Sequence, residues 1–260
     1  MGTIEKGYPL TRRNSGWQKR WSRIVGAIRI LPAPQDEQAL LGELTCGHGV
    51  RVLGFVNAYG MNSIVSDTAF FDALVYADIL LRDGSGMALL YHRRGWEAGL
   101  NMNGTDLIPK ILASFHGRRV AMWGTEEPYL GAAAKHCETT LGVRVVSHED
   151  GFHEIDFYRC LALATQPELI VLGMGMPKQE RVAHALRSVA GLSALIVCGG
   201  AIIDFLGGKV RRAPAWMRLL GIEWAYRLAH EPKRLFRRYV VGNPLFLWRV
   251  EAWLMNGTEQ

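Results

Sequence analysis

Cysteine is scarce: Cys46, Cys137, Cys160 and Cys198 are the only four in 260 residues. No two stand as C-x-x-C, which argues against a zinc site. Four cysteines make no disulfide framework, and a reducing cytoplasm is the simplest expectation. Long apolar runs are also missing. The N-terminus lacks a signal peptide's apolar stretch, and residues 24–33 are broken by Gly26 and Arg29. Nothing reaches the roughly 20 apolar residues that span a bilayer, so any membrane contact is expected to be peripheral. No Asp-x-Asp pair stands in a suitable loop, and a metal-bridged diphosphate is therefore not indicated. The turn after the first expected strand reads NAYGMNS, without the G-x-G-x-x-G that a nicotinamide-dependent oxidoreductase would carry there. Internal repeats and low-complexity tracts are absent.

What is present is ordinary globular material, 49% hydrophobic and 21% charged, enough for one large domain or a domain with an appendage. The net charge is +6, a balance that suits nucleic acid, anionic lipid or phosphorylated substrates. No nucleic-acid reader motif appears, and the basic residues lie among proline-punctuated, aromatic-rich segments. A non-catalytic basic binding module is thus a competing reading, and nucleic acid is not the expected partner.

The chain divides into three parts. Residues 1–50 form a basic segment that is hard to read. Its first 23 residues hold Lys6, Arg12, Arg13, Lys19, Arg20 and Arg23 with Trp17 and Trp21, which fits a loose tail or an aromatic-basic surface anchor. Residues 51–206 alternate strands and helices. Strands are expected at 51–57, 78–82, 118–123, 143–147, 168–172 and 192–198. Helices are expected at 63–76, 86–94, 106–115, from about 128 to 141, 154–164 and 177–187, with a short one after Gly200. This alternation predicts an α/β, Rossmann-like, mainly parallel sheet with helices on both faces. Residues 207–260 lose the strand pattern. They interleave Arg and Lys with Trp216, Trp224, Tyr226, Phe236, Tyr239 and Trp248, punctuated by Pro214, Pro232 and Pro244. They read as a helical appendage with a membrane-interface or partner surface.

In an open parallel sheet, ligands bind beyond the carboxyl ends of the strands, so each strand-to-helix turn is a candidate. Asn57 ends the first strand and either caps the next helix or orients a substrate hydroxyl. Asp83 precedes Gly84-Ser85-Gly86, where it is either a helix N-cap or a general base for an incoming hydroxyl. The Gly124 turn is better read as structural, because Glu126 and Glu127 would repel an anion. Gly173, Gly175, Lys178 and Gln179 belong to the turn GMGMPKQE, which is either a tight turn or a place where backbone N–H groups and the Gln179 amide meet a nucleotide. Gly200 and Asp204 repeat the logic, Asp204 as a ribose-hydroxyl acceptor or a solvated helix acid. Arg227, Arg234 and Arg237, spaced by seven and three, share one helical face if Pro232 does not interrupt it, and guanidinium groups suit phosphate oxygens.

Together, GMGMPKQE at 173–180, NGTDL at 103–107 and GGKVRRAPAWMRLLGIEWAYRLAHEPKRLFRRY at 207–239 resemble the WecG/TagA/CpsF family of glycosyltransferases, over about residues 51–243. The resemblance implies inverting transfer from a UDP-sugar to an undecaprenyl-diphosphate-linked sugar. It implies bacterial exopolysaccharide or cell-surface polysaccharide synthesis at the inner face of the cytoplasmic membrane. It implies no metal, no other cofactor and no amino-acid nucleophile. By the same resemblance Asp83 matches the family's base, and Gln179 and Asp204 match positions lining the nucleotide pocket. Arg227, Arg234 and Arg237 match arginines that close over the diphosphate. A homo-oligomer away from the membrane is implied as well. Two positions depart from the pattern: the family's Thr-x-Asn is Phe55-Val56-Asn57, and an arginine usual before Gly-x-Asp-Leu aligns with Asn101. Both departures fall where sugar or acceptor should bind, which makes a GumM-like, UDP-glucose-using exopolysaccharide branch an expectation beside the usual N-acetylhexosamine donor.

Overall fold

In the computed structural model, residues 15–256 are described. The basic residues Lys6, Arg12 and Arg13 therefore lie outside the described region. Seven strands form one sheet: β1 (Ile28–Arg29), β2 (Val50–Val56), β3 (Ile79–Arg82), β4 (Arg119–Gly124), β5 (Arg144–Glu149), β6 (Leu169–Gly173) and β7 (Ala194–Cys198). Their order across the sheet is β1-β3-β2-β7-β6-β4-β5, and every pairing is parallel. The Rossmann-like expectation is met, with a two-residue strand added at one edge.

Side-chain alternation along the strands explains the layers. Leu53, Phe55, Val120, Met122, Leu169, Val171, Leu195 and Val197 face one side. There they pack against the helices Pro34–Thr45, Gly104–Ser114, Tyr129–Leu141 and Ile202–Leu206. Val52, Ala121, Trp123, Ile170, Leu172 and Ile196 face the other, against Ile155–Thr165 and Lys178–Leu186. Beside that second cluster, Val56 and Leu80 pack against Ser15–Ala27, Thr68–Val75, Gly84–Arg93 and Gly242–Asn256. The helices on both faces are thus the direct outcome of strands buried on both sides.

The expected helix at 63–76 is two helices, Ala58–Ser63 and Thr68–Val75. The separation is made by Asp67, whose Oδ1 accepts from the Phe70 N–H at 2.9 Å and starts a new helix. The described part of the basic segment before residue 50 begins with the helix Ser15–Ala27. Trp21 is fully buried, donates its indole N–H to the Met61 carbonyl at 2.8 Å, and lies 5.5 Å from the Phe246 ring and 6.5 Å from that of Trp253. Ser15–Ala27 is therefore seated against the last helix of the chain, with Trp253 donating to Ser22 Oγ at 3.0 Å.

After residue 206 the regular elements of the described residues are all helical: Ala215–Leu219, Glu223–His230, Pro232–Phe236, a π-helical turn at Arg237–Val241, and Gly242–Asn256. The last helix is fastened to the core. Asn62 donates to the Gly242 carbonyl at 2.8 Å, and Arg249 donates to both the Asn62 carbonyl and its side-chain oxygen. Among the described residues no helix is long and apolar enough to cross a membrane.

Candidate functional site

β2 and β7 are hydrogen-bonded neighbours although five strands apart in sequence order, which brings the turns after β2 and β3 beside those after β6 and β7. In an open parallel sheet the crevice for a ligand lies beyond the carboxyl ends of the strands. A cavity of about 1040 Å³ occupies it. Its floor is made by the turns after β2, β3, β6 and β7, and the residues after 217 roof it.

Asp83 follows β3 directly. Its backbone sits at the N-cap of Gly84–Arg93, yet its carboxylate caps no helix N–H. Instead Oδ2 accepts from Asn57 Nδ2 at 3.3 Å, while Asn57 Oδ1 accepts from the Gly60 N–H at 3.0 Å. Asn57 thus does the capping expected of it and also orients Asp83. Half-buried at the cavity wall, the Asp83 carboxyl is pushed above the usual carboxylate range by desolvation. The Asn57 hydrogen bond and the positive charges of Arg238, Arg227 and Arg82 pull the other way.

A clasp that sequence reasoning missed holds this turn. Arg82 is buried and donates to the carbonyls of Ala98 at 2.7 Å, Gly84 at 3.1 Å and Gly99 at 3.1 Å. The loop so gripped carries Asn101, whose Oδ1 accepts from the Gly84 N–H at 2.8 Å. Both faces of the Asp83 turn are therefore fixed by side chains. An arginine ending an apolar strand, inside a core, was the available signal.

The glycine turns behave differently from the expectation for a bare ligand loop. Gly175 and Gly200 have φ of +79° and +61°, a left-handed backbone that glycine adopts without strain. Their N–H groups both donate to Gln179 Oε1, at 3.2 and 2.9 Å, and Gln179 Nε2 donates to Glu180 Oε1 at 2.8 Å. Gln179 is buried beside the cavity and braces the two turns against each other. Its amide is already engaged rather than free for a base edge. Glu180 is buried too, its pKa pushed up to about 7 by desolvation. Gly173, Gly175, Gly200 and Asp204 line the cavity, and Lys178 does not. Asp204 is held by the hydroxyl of Thr125 and lies 3.7 Å from Lys209 Nζ.

Among the expected arginines, Arg227 and Arg234 line the cavity, whereas Arg237 is exposed and stands outside it. Arg238 takes the inward position, its guanidinium 4.8 Å from the Tyr59 ring. The spacing argument fails at a definite place. Glu231, with φ −131° and ψ 58°, interrupts the helix, and the π-helical turn at 237–241 then rotates the register. Arg234 is paired with Glu231 at 2.5 Å. Arg227 and Arg238 have no carboxylate within ion-pair distance among the described residues, and the Nε of each is buried without a hydrogen-bond partner. Two guanidiniums without ion-pair partners give one cavity a positive wall, which suits anionic ligands. The NGTDL stretch anchors the roof: Asn103 caps Gly104–Ser114, and Asp106 binds Arg212 at 2.5 Å and lies 4.0 Å from Arg218.

The model of the glycosyl transferase WecG/TagA/CpsF family matches residues 29–260. The N-acetylglucosaminyldiphosphoundecaprenol N-acetyl-beta-D-mannosaminyltransferase of Bacillus subtilis strain 168 is 26% identical over 187 residues, covering 70% of this chain and 73% of the relative. The protein of the same name from Staphylococcus aureus strain MW2 is 24% identical over 194 residues, covering 73% and 75%. A cavity beyond the carboxyl ends of the strands, walled by an oriented carboxylate and unpaired arginines, thus sits in a chain whose match runs almost end to end: the protein belongs to the WecG/TagA/CpsF family of glycosyltransferases.

Proposed function

We propose that the chain transfers a sugar, with inversion, from a UDP-sugar to an undecaprenyl-diphosphate-linked sugar in bacterial exopolysaccharide or cell-surface polysaccharide synthesis, working at the cytoplasmic face of the membrane. The observation that carries this reading is the pairing of one half-buried, Asn57-oriented carboxylate with two unpaired arginines in a single cavity. β3 and β6 lie three strands apart, about 14 Å at ordinary strand spacing. That separation suits a nucleotide over the Gly173–Gly175 and Gly199–Gly200 turns with its sugar reaching toward Asp83.

In this scheme Asp83 takes the proton of the acceptor hydroxyl as its oxygen bonds to the anomeric carbon. The bond from that carbon to the UDP oxygen breaks on the opposite face, and its electron pair leaves with the diphosphate. General-base help is worth about 10²–10⁴-fold. Arg227, Arg238 and Arg234 stand where they can meet the charge that develops on the diphosphate. The scheme asks for no metal, because guanidinium groups supply the positive charge. Phe55, packed into the core at the cavity edge, supplies no hydroxyl to the sugar, and Asn101 is spent on Gly84. Both features favour UDP-glucose as donor. The names of the bacillary and staphylococcal relatives favour a UDP-N-acetylhexosamine instead. Transfer from a panel of radiolabelled UDP-sugars onto defined lipid-linked acceptors separates them. The first reading expects label from UDP-glucose, and label only from an N-acetylhexosamine donor would overturn it.

Exposed Trp216, Leu220, Phe236, Val241 and Trp248, with Lys233 and Arg237 among them, make a basic-aromatic outer surface on the roof. Such a surface suits the headgroup region of an anionic bilayer. In this reading the cavity opens beside the membrane that would hold the acceptor.

A further inference from the structure

A second carboxylate enters the cavity from above. Glu223 opens the helix Glu223–His230 and lines the cavity, and no hydrogen bond or ion pair within 4 Å engages it among the described residues. Its position is set by a hydrogen bond two residues away. Ser85 Oγ donates to the Gly221 carbonyl at 3.0 Å, which ties the start of that helix to the turn two residues beyond Asp83. Asp83 and Glu223 therefore line the same cavity, and the charge of Asp83 acts on Glu223. Arg212 and Arg227 are the cations around Glu223, and Asp106 is the other acid. A half-buried carboxylate left without a partner costs free energy unless a ligand supplies donors. Anionic diphosphate cannot do so. Sugar hydroxyls can, because a carboxylate accepts from them while the arginines take the phosphates.

We infer that Glu223 is a specificity-determining residue that accepts a hydrogen bond from a non-reacting hydroxyl of the acceptor sugar, opposite the hydroxyl held at Asp83. The acceptor is the sugar concerned because it must lie against Asp83, under the roof. The donor nucleotide has its own turns on β6 and β7. This inference rests on the assignment of Asp83 as base.

The test compares wild-type protein and Glu223→Gln on the lipid-diphosphate-linked acceptor and on analogues lacking, one at a time, each hydroxyl except the attacking one. Wild-type protein is expected to lose about 10- to 100-fold in kcat/KM on one analogue, the value of a hydrogen bond to a charged group. Glu223→Gln is expected to show that same loss on the full acceptor, no further loss on that analogue, and UDP affinity within twofold of wild type by calorimetry. UDP binding also reports that the variant is folded. If Glu223→Gln does not fold, Glu223→Asp carries the comparison, with reduced discrimination expected. A variant that keeps wild-type discrimination on every analogue, or that loses UDP affinity in step with transfer, would overturn the inference. Asp83→Asn run alongside keeps the two assignments apart. Turnover by that variant would remove the base, whereas the analogue comparison reads Glu223 alone.

Discussion

A carboxylate accepts a proton only when ionised, and burial raises the pKa of Asp83. Activity should then fall on acidification through a midpoint above the ordinary carboxylate range. Arg238 and Arg227 lower that pKa by their charge. Replacing Arg238 with Gln removes one positive charge, raises the Asp83 pKa, and should move the acid limb of the kcat/KM profile to higher pH. The rate on the plateau should also drop by about 10²–10³, the usual cost of losing one well-placed donor to a developing charge. An unmoved limb would mean that the guanidinium does not act on Asp83. At this scale the sequence made Asp83, Asn57 and the two glycine turns legible, since each follows or ends a strand, and Asp204 legible in the first turn of the helix after β7. It did not reveal that Gln179 braces Gly175 and Gly200, because that contact joins a helix to a turn 21 residues away. Nor did it reveal Arg82, whose three acceptors are backbone atoms that no sequence pattern marks.

Secondary elements were readable where burial is periodic. The core strands at 51–57, 118–123, 168–172 and 192–198 are continuous apolar runs, and each is present within a few residues. The helix Ser15–Ala27 was not readable. Its buried residues Trp21, Ile24 and Val25 follow helical spacing, but Lys19, Arg20 and Arg23 beside them gave the segment the look of a solvated tail. Its energetic importance is testable. Trp21→Ala removes a fully buried indole and its hydrogen bond and should destabilise the protein by about 3–5 kcal/mol in urea unfolding. Because Trp21 supports Phe246 and Trp253, activity should fall as well, through the seat of the last helix. A loss below about 1 kcal/mol would show that the terminal helices do not depend on each other. In the appendage, one non-helical residue and a π-helical turn were enough to exchange Arg237 for Arg238 at the cavity. Register over three short helices is set by their docking, not by spacing alone.

For the whole molecule, alternation foretold a parallel sheet but not the order β1-β3-β2-β7-β6-β4-β5, since pairing between β2 and β7 joins residues more than 140 apart. That order is what brings the turns around the cavity together, and membership of a glycosyltransferase family then sets aside the nicotinamide-oxidoreductase and non-catalytic-module readings. The roof's outer surface leads to a prediction at the same scale. The protein should bind vesicles containing anionic lipid, less so as salt rises, and the double variant Trp216→Glu, Trp248→Glu should bind at least tenfold more weakly. Undiminished vesicle binding by that variant would place the membrane contact elsewhere.

The central claim is that one carboxylate activates the acceptor while separate cationic groups hold the nucleotide. Asp83→Asn keeps the size and the hydrogen-bonding shape of the side chain and removes the base. Transfer to the lipid-linked acceptor and UDP affinity should be measured on the same preparation of this variant. The account predicts a loss of at least about 10²-fold in transfer with UDP affinity essentially unchanged. Near-native transfer by Asp83→Asn would contradict it.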